Sequence, residues 1–368
     1  MINRLNFLYQ LYIKSDIFIV TKEEFNLKNT INLKKGINLG GWLSQCEYTN
    51  EHYDSFIHEE DIKNISEMGF DHIRVPFDYE LIESEDGKPI LENYKYFDNC
   101  IAWSEKYGMK VILDMHKAPG YSFIEAYEPT NTLLNTESIQ NRYINLWIEM
   151  AKRYGKYSDM VVFELLNELV EEHLSEPWNI LSHRTIAEIR KYAPYTKIIV
   201  GGINWNSVFA VKLLGKPYDE NIIYNFHCYE PLFFTHQRAY WVPEIKNIEE
   251  IGYPLSKEQL IEYNDILSDE HKKTLRNSFF NKESSELFEA IFEDAVKFAE
   301  EINIQLYCGE YGVIDQAPLE GTVNWFKAIN TAFEKHNIGR AVWSYKEMDF
   351  GLIDEHYAPV KDEILKYL

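Results

Sequence analysis

Two carboxylates give the first chemical clue. Glu168 closes the run Val161-Val162-Phe163-Glu164-Leu165-Leu166-Asn167-Glu168, and Glu310 lies in Gln305-Leu306-Tyr307-Cys308-Gly309-Glu310-Tyr311-Gly312. Each follows apolar and β-branched residues of the kind that form a buried strand. An apolar core does not welcome a carboxylate, so each marks a strand terminus with a task outside the core. Two carboxylates flanking a glycosidic bond are the minimum apparatus for its hydrolysis. One protonates the departing oxygen, and the other attacks the anomeric carbon or activates water. Near neutral pH the acid needs apolar walls that raise its pKa, and its partner needs donors that keep it ionised.

The elements that must position this pair alternate along the chain. Strands are expected at Gly36–Gly41, His72–Phe77, Lys110–His116, Val161–Glu168, Lys197–Gly202, Ile222–Tyr229, Gln305–Tyr311 and Gly339–Tyr345. Helices are expected at Glu59–Met68, Tyr96–Tyr107, Ser138–Tyr154, Pro177–Tyr192, Leu287–Glu301, Thr322–Lys335 and, at the end, Val360–Leu368. This β-then-α alternation predicts an α/β fold of the (β/α)8 TIM-barrel type. The rival doubly wound sheet announces itself with a glycine-rich phosphate loop after its first strand, and Gly36-x-x-x-Gly40-Gly41 lacks that pattern. Residues 1–34 read as an N-terminal extension and 35–368 as the barrel domain. Residues 234–285, too long for an ordinary connection, form an inserted subdomain after the sixth strand.

A barrel gathers its functional groups at the C-terminal ends of several strands. The polar and aromatic residues expected there are Arg74, His116, Asn167, Glu168, His227, Tyr229, Glu310 and Trp343. Taken singly, each has an ordinary role: a strand-end Glu pairs with a cation, a lone His bonds a carbonyl, a lone Trp packs. Their shared rim is what gives them chemistry. Arg74 and Tyr229 are suited to donate to a nucleophilic carboxylate, and Asn167 to hold a sugar hydroxyl. Glu164 and Asp114 are read as structural. Metal chemistry is disfavoured, since no His-x-His, His-Glu-x-x-His or closed cysteine set occurs, and a Gly-x-Ser-x-Gly elbow is also missing. No cofactor is expected.

Composition narrows the partner. With 37 basic and 59 acidic residues the net charge is −22, which disfavours nucleic acid. The 26 Tyr, 21 Phe and eight Trp exceed ordinary packing needs and suit the flat faces of a neutral carbohydrate. Cys46, Cys100, Cys228 and Cys308 show no C-x-x-C spacing and are expected as free thiols. Lys14 and Asp16 interrupt the mildly apolar N-terminus, so a cytoplasmic protein is expected, with no membrane partner.

These blocks together resemble glycoside hydrolase family 5, the cellulase family. Glu164-Leu165-Leu166-Asn167-Glu168 is similar to its Asn-Glu signature, and Tyr307-Cys308-Gly309-Glu310-Tyr311-Gly312 to its nucleophile strand. Ile73-Arg74-Val75-Pro76, Leu113-Asp114-Met115-His116, Phe226-His227-Cys228-Tyr229 and Val342-Trp343 follow the family's order. Within the family the chain most resembles the clostridial endoglucanase C type, through Gly36–Trp42, Glu51–Ile57 and Pro231–Gln237. The resemblance implies a retaining, monomeric β-1,4-glucanase acting on β-glucan, mixed-linkage glucan or cellodextrins. Glu168 would be acid/base and Glu310 nucleophile, with Arg74, His116, Asn167, His227, Tyr229 and Trp343 around the sugar under attack. A β-mannanase, a xyloglucanase or a glycan-binding barrel without activity are the alternatives. Two positions depart from the pattern: Leu169 stands where many members have proline, and Lys117 where many have a second histidine. The insertion is expected beside the cleft, with Trp241 as a stacking platform and Trp42 and Trp205 as further candidates.

Overall fold

In the computed structural model the described residues are 31–125, 128, 130–268 and 286–368, with two further strands at Tyr9–Ile13 and Asp16–Val20 that pair antiparallel. Eight parallel strands close into a barrel: β1 (Lys35–Asn38), β2 (His72–Asp78), β3 (Lys110–Lys117), β4 (Val161–Glu164), β5 (Ile198–Gly201), β6 (Ile222–His227), β7 (Gln305–Tyr311) and β8 (Gly339–Val342). Each pairs with its sequence neighbours, and β8 closes on β1. Helices fill most connections. Leu287–Ile302, for example, buries Phe288, Ile291, Phe292, Ala295 and Ala299 on one face, a spacing that matches the helical turn. Asn303 ends it in the left-handed conformation at φ 54°. Among the described residues no helix is long and apolar enough to cross a membrane.

Several expected strands are shorter than the sequence suggested. The fourth stops at Glu164, so Asn167 and Glu168 lie beyond the sheet rather than at its last rung. The cause is a capture of the next carbonyl: Leu165 O accepts from Tyr143 Oη at 2.8 Å and Trp147 Nε1 at 3.2 Å, both on the helix Glu137–Tyr154. Strand one ends at Asn38, strand six at His227 and strand eight at Val342. The connection after β5 holds the single turn Ile203–Asn206 and the 3-10 segment Val208–Leu214, where no helix was expected. The terminal helix spans only Lys361–Ile364.

The barrel interior is layered by the strand period of two. The layer nearest the strand starts holds Ile112, Val162, Ile199, Ile223, Tyr307 and Ala341, closed from below by Ile31 and Leu33. Those last two belong to the segment set apart as an extension, yet they pack into the barrel. Two residues further along their strands come Asp114, Glu164 and Asn225, joined by Asn38 of β1 and Arg74 of β2, all buried. The insertion, described as far as residue 268, contributes the turn Leu232–Thr235 and the helix Lys257–Ile266. Ser256 and Gln259 form a capping box at the start of that helix. Residues 269–285 of the expected subdomain lie outside the described residues.

Candidate active site

Arg74 organises the middle layer. Fully buried on β2, it donates from Nε and Nη2 to the two oxygens of Glu164 at 2.8 and 2.9 Å. Nη1 reaches Asn38 Oδ1 at 3.0 Å and Glu310 Oε1 at 2.7 Å, while Nη2 reaches Asn167 Oδ1 at 2.9 Å and lies 3.0 Å from Asp114 Oδ2. A buried guanidinium is tolerable only when its fork is met by acceptors, and here every nitrogen is. Glu164 and Asp114, read from sequence as structural, therefore hold the group that holds Glu310. Burial raises both carboxyls, and Asp114 stands at about 7 despite the Arg74 charge.

Glu310 reaches the interior through an irregularity in β7. Tyr307 faces inward, so a regular strand would point Gly309 inward and Glu310 away. The pairing with β6 slips between Phe226↔Cys308 and His227↔Glu310, which makes Gly309 an extra residue. This bulge turns Glu310 into the barrel mouth. A Cβ on Gly309 would lie 2.8 Å from the Asn225 amide, so the bulge also depends on glycine. Both Glu310 oxygens accept hydrogen bonds, Oε1 from Arg74 and Oε2 from Tyr229 Oη at 3.0 Å.

Glu168 has a different environment. Burial pushes its carboxyl up to about 7, opposed by the nearby His116 and Arg74. Its Oε1 lies 2.7 Å from His227 Nδ1. Burial likewise pushes His227 down to about 4, so the imidazole is neutral near pH 7. The tautomer follows from two amides. Asn206 Oδ1 accepts from Gly202 N at 2.7 Å and Asn225 Oδ1 from Gly309 N at 2.8 Å, which turns both Nδ2 groups toward His227 Nε2 at 3.4 and 3.5 Å. Nε2 is thus the acceptor and Nδ1–H donates to Glu168 Oε1, leaving a proton on Glu168 to sit on Oε2. Gly201 leaves room for this arrangement, because a Cβ there would meet the Asn206 amide oxygen at 2.0 Å.

One oxygen of each glutamate and a ring nitrogen of His227 lie within 4.8 Å of one another. The same three groups could ligate a cation by type, but Arg74 and Tyr229 already occupy both Glu310 oxygens and His227 one oxygen of Glu168. His116 bonds Asp114 Oδ2 through Nδ1 at 2.6 Å and stacks on Trp343, with centroids 5.9 Å apart and planes 10° apart. Asn167 Oδ1 accepts from Arg74 Nη2, which directs its Nδ2 elsewhere. Trp241 stands on the insertion, 42% exposed and edge-on to His236, whose ring in turn packs against Tyr229.

Not every candidate reaches the site. Trp42 is a correction: it is buried, its Nε1 bonded to Tyr53 O at 3.0 Å, and it packs edge-on to Tyr96. Trp205 sits half-buried at φ 52° in a left-handed run with Asn204 and Asn206, its N–H bonded to Leu169 O. Lys117, the departure after His116, pairs with Glu80 at 2.6 Å. Leu169 is buried. Asn38, Asn206 and Asn225 went unnoticed in the sequence. Asn225 could have been found by counting back in twos from an inward-facing rim residue, as it lies two before His227.

A closed barrel with two carboxyls in unlike environments at its C-terminal mouth defines the class: a glycoside hydrolase of the (β/α)8 type. The profile of the cellulase family, glycosyl hydrolase family 5, matches residues 32–349, and the chain belongs to that family. Cellodextrinase A of Ruminococcus flavefaciens is 42% identical over 307 residues, 83% of each chain. Endoglucanase C of Acetivibrio thermocellus is 39% identical over 345 residues, 92% of this chain and 98% of its own. Cel5A of Thermotoga maritima, solved in complex with mannotriose, superposes with a TM-score of 0.71 at 25% identity, covering 94% of this chain and 99% of the other.

Proposed function

We propose that the protein is a retaining endo-β-1,4-glucanase in which Glu168 is the acid/base and Glu310 the nucleophile. The observation that carries this is the approach of the two carboxyls, an oxygen of each within 4.8 Å. Retaining pairs stand about 5–5.5 Å apart, whereas inverting pairs need about 6.5–9.5 Å to admit a water. The unlike settings support the division of roles: a carboxyl raised to about 7 by burial can keep its proton, and one whose oxygens both accept from donors can attack.

The first step forms a bond between a Glu310 oxygen and the anomeric carbon. As the glycosidic bond breaks, its electron pair stays on the departing oxygen, which takes the proton from Glu168. Water then enters, gives a proton to Glu168 and attacks the same carbon, and Glu310 leaves as carboxylate. His227 keeps Glu168 oriented, and Arg74 with Tyr229 holds Glu310. The names of the two relatives near 40% identity support β-1,4-glucan or cellodextrins as substrate. In this reading the chain acts as a monomer on a neutral polysaccharide, with neither nucleic acid nor membrane as partner, and the insertion borders the leaving-group side.

Proton NMR of early product tests the mechanism. The β-anomer is expected first; the α-anomer first would establish inversion and end the assignment. Side-by-side rates on carboxymethyl cellulose, barley β-glucan, xyloglucan and mannan test the substrate. Mannan is the sharpest rival, given the neighbour solved with mannotriose.

A further inference from the structure

Glu168 sits on a stretch of backbone that belongs to no strand or helix. Residues 165–171 run irregularly from the end of β4 to the 3-10 turn Glu172–Leu174, so their peptide groups must find partners on other elements. Before Glu168, Asn167 N–H donates to Met115 O at 3.1 Å, and Asn167 O accepts from Asn206 Nδ2 at 2.9 Å. After it, Leu169 O accepts from Trp205 N–H at 3.0 Å, and Val170 N–H donates to the Tyr121 hydroxyl at 2.9 Å. That hydroxyl in turn donates to Glu171 Oε2 at 3.0 Å. One oxygen thus bridges two consecutive residues just beyond Glu168. Tyr121 and Glu171 are both buried, which shields the bridge from water.

Tyr121 is itself fixed. Just past β3, Ala118 and Tyr121 exchange backbone hydrogen bonds at 3.1 and 3.0 Å around Pro119-Gly120, and Gly120 O accepts from the N–H groups of Thr132 and Leu133 at 2.7 and 2.9 Å. Gly120 lies at φ 69°, and a Cβ there would meet Thr132 Oγ1 at 2.9 Å, so this turn requires glycine. The loop after β3 is therefore a rigid post, and the Tyr121 hydroxyl is where it grips the loop after β4. Donating to Glu171 polarises that hydroxyl and strengthens it as the acceptor for Val170 N–H. Proton transfer needs Glu168 Oε2 aimed at the glycosidic oxygen, and a misplacement of about 1 Å can cost about 10²-fold in rate. His227 fixes one oxygen of the carboxyl. The bridge at Tyr121 fixes the backbone that carries it.

We propose that Tyr121 is a positioning residue for Glu168, holding the segment that follows it so that the proton donor meets the departing oxygen. The proposal rests on the acid/base role assigned to Glu168 above. It is tested by the leaving-group dependence of kcat/KM on aryl β-cellobiosides, because 2,4-dinitrophenolate departs without a proton and phenol does not. Tyr121→Phe should lower kcat/KM on phenyl β-cellobioside roughly tenfold and leave the 2,4-dinitrophenyl substrate within about twofold of wild type. Glu171→Ala leaves the hydroxyl to Val170 but removes its acceptor, and should give a smaller split of the same pattern. If Tyr121→Phe fails to fold, Glu171→Ala carries the same comparison. Equal losses on both substrates would mark the bridge as structural, and wild-type rates on both would mark it as idle; either overturns the proposal alone. Glu168→Gln is the reference and should show the split at full size. A Glu168→Gln variant without the split would instead bring down the acid/base assignment beneath the proposal.

Discussion

The two ends of the barrel interior are built from the same strands and differ in almost every physical respect. On β3 the inward sequence is Ile112, Asp114, His116; on β6 it is Ile223, Asn225, His227. The first member of each triplet joins an apolar layer that Ile31 and Leu33 seal. The second enters the Arg74 network, and the third reaches the mouth. Both ends are dry, but they are dry for different reasons. The lower layer gains free energy from removing apolar surface from water. The middle layer loses hydration and recovers it only because Arg74, Glu164, Asp114, Asn38 and Asn225 satisfy one another. Two residues of strand rise thus separate a region that stabilises the fold from one whose stability is committed to holding two carboxyls in place.

The largest effect should come from the mouth itself. Glu310→Ala removes the attacking oxygen and should lower kcat by at least roughly 10⁴-fold on every glycoside, whatever its leaving group. Steady-state assays on an aryl cellobioside and on β-glucan check this, and unequal losses on the two would return the nucleophile to open question. Glu168→Gln should be more selective. Proton donation contributes about 10²–10⁴-fold, so β-glucan hydrolysis should fall by that range. Bond cleavage in aryl glycosides with very good leaving groups should be spared, and added azide should then speed release of the glycosyl-enzyme.

The pH dependence follows with a definite sign. Burial raises Glu168 to about 7, so the acid is protonated and competent below that pH, and kcat/KM should fall as pH rises through it. Asp114 also stands at about 7, so the limb alone does not assign the acid. Loss of the limb in Glu168→Gln, measured on activated substrates, does. A limb that persists there would move the titration to another carboxyl that burial raises to about 7, Asp114 or Glu230.

The opposite end should answer in a different quantity. Ile223→Ala opens a cavity in the sealed layer and should cost about 2–5 kcal/mol of stability. The rate per folded molecule should stay as it is, because the Arg74 network lies between that cavity and the carboxyls. Denaturant unfolding alongside kcat at a permissive temperature separates the two. A fall in kcat matching the loss of stability would show that the layers are coupled.

The contrast also explains which parts could be read from the sequence. Strand and helix alternation was plain because long apolar runs and helical spacing are local properties. The rim residues were legible because polar groups at strand ends stand out against their apolar lead-ins. The end of β4 was not, since it depends on Tyr143 and Trp147 reaching Leu165 O from a helix placed by the tertiary fold. The bulge at Gly309 was equally hidden: strict alternation from Tyr307 would have sent Glu310 to the outer face. Glu164 and Asp114 were read only as structural, because their contacts with Arg74 span three strands and leave no trace in spacing.

The smallest expected effect lies outside both layers. Trp241 sits on the insertion, two ring contacts from Glu310's donor Tyr229 by way of His236. It is partly exposed and packs edge-on with Tyr240, so removing it opens no cavity in the core. Its service to the reaction would be to stack on a sugar of the departing chain, which is uniform binding and not an interaction peculiar to the transition state. Trp241→Ala should therefore raise KM on long glucans several-fold, within the about 0.5–1.5 kcal/mol that an aromatic contact supplies, and leave kcat close to its starting value. An aryl cellobioside, whose leaving group is short, should be affected less. If neither KM nor kcat on long glucans changes, the insertion's aromatic tip is idle in this reaction, and binding on that side must come from residues nearer the barrel mouth.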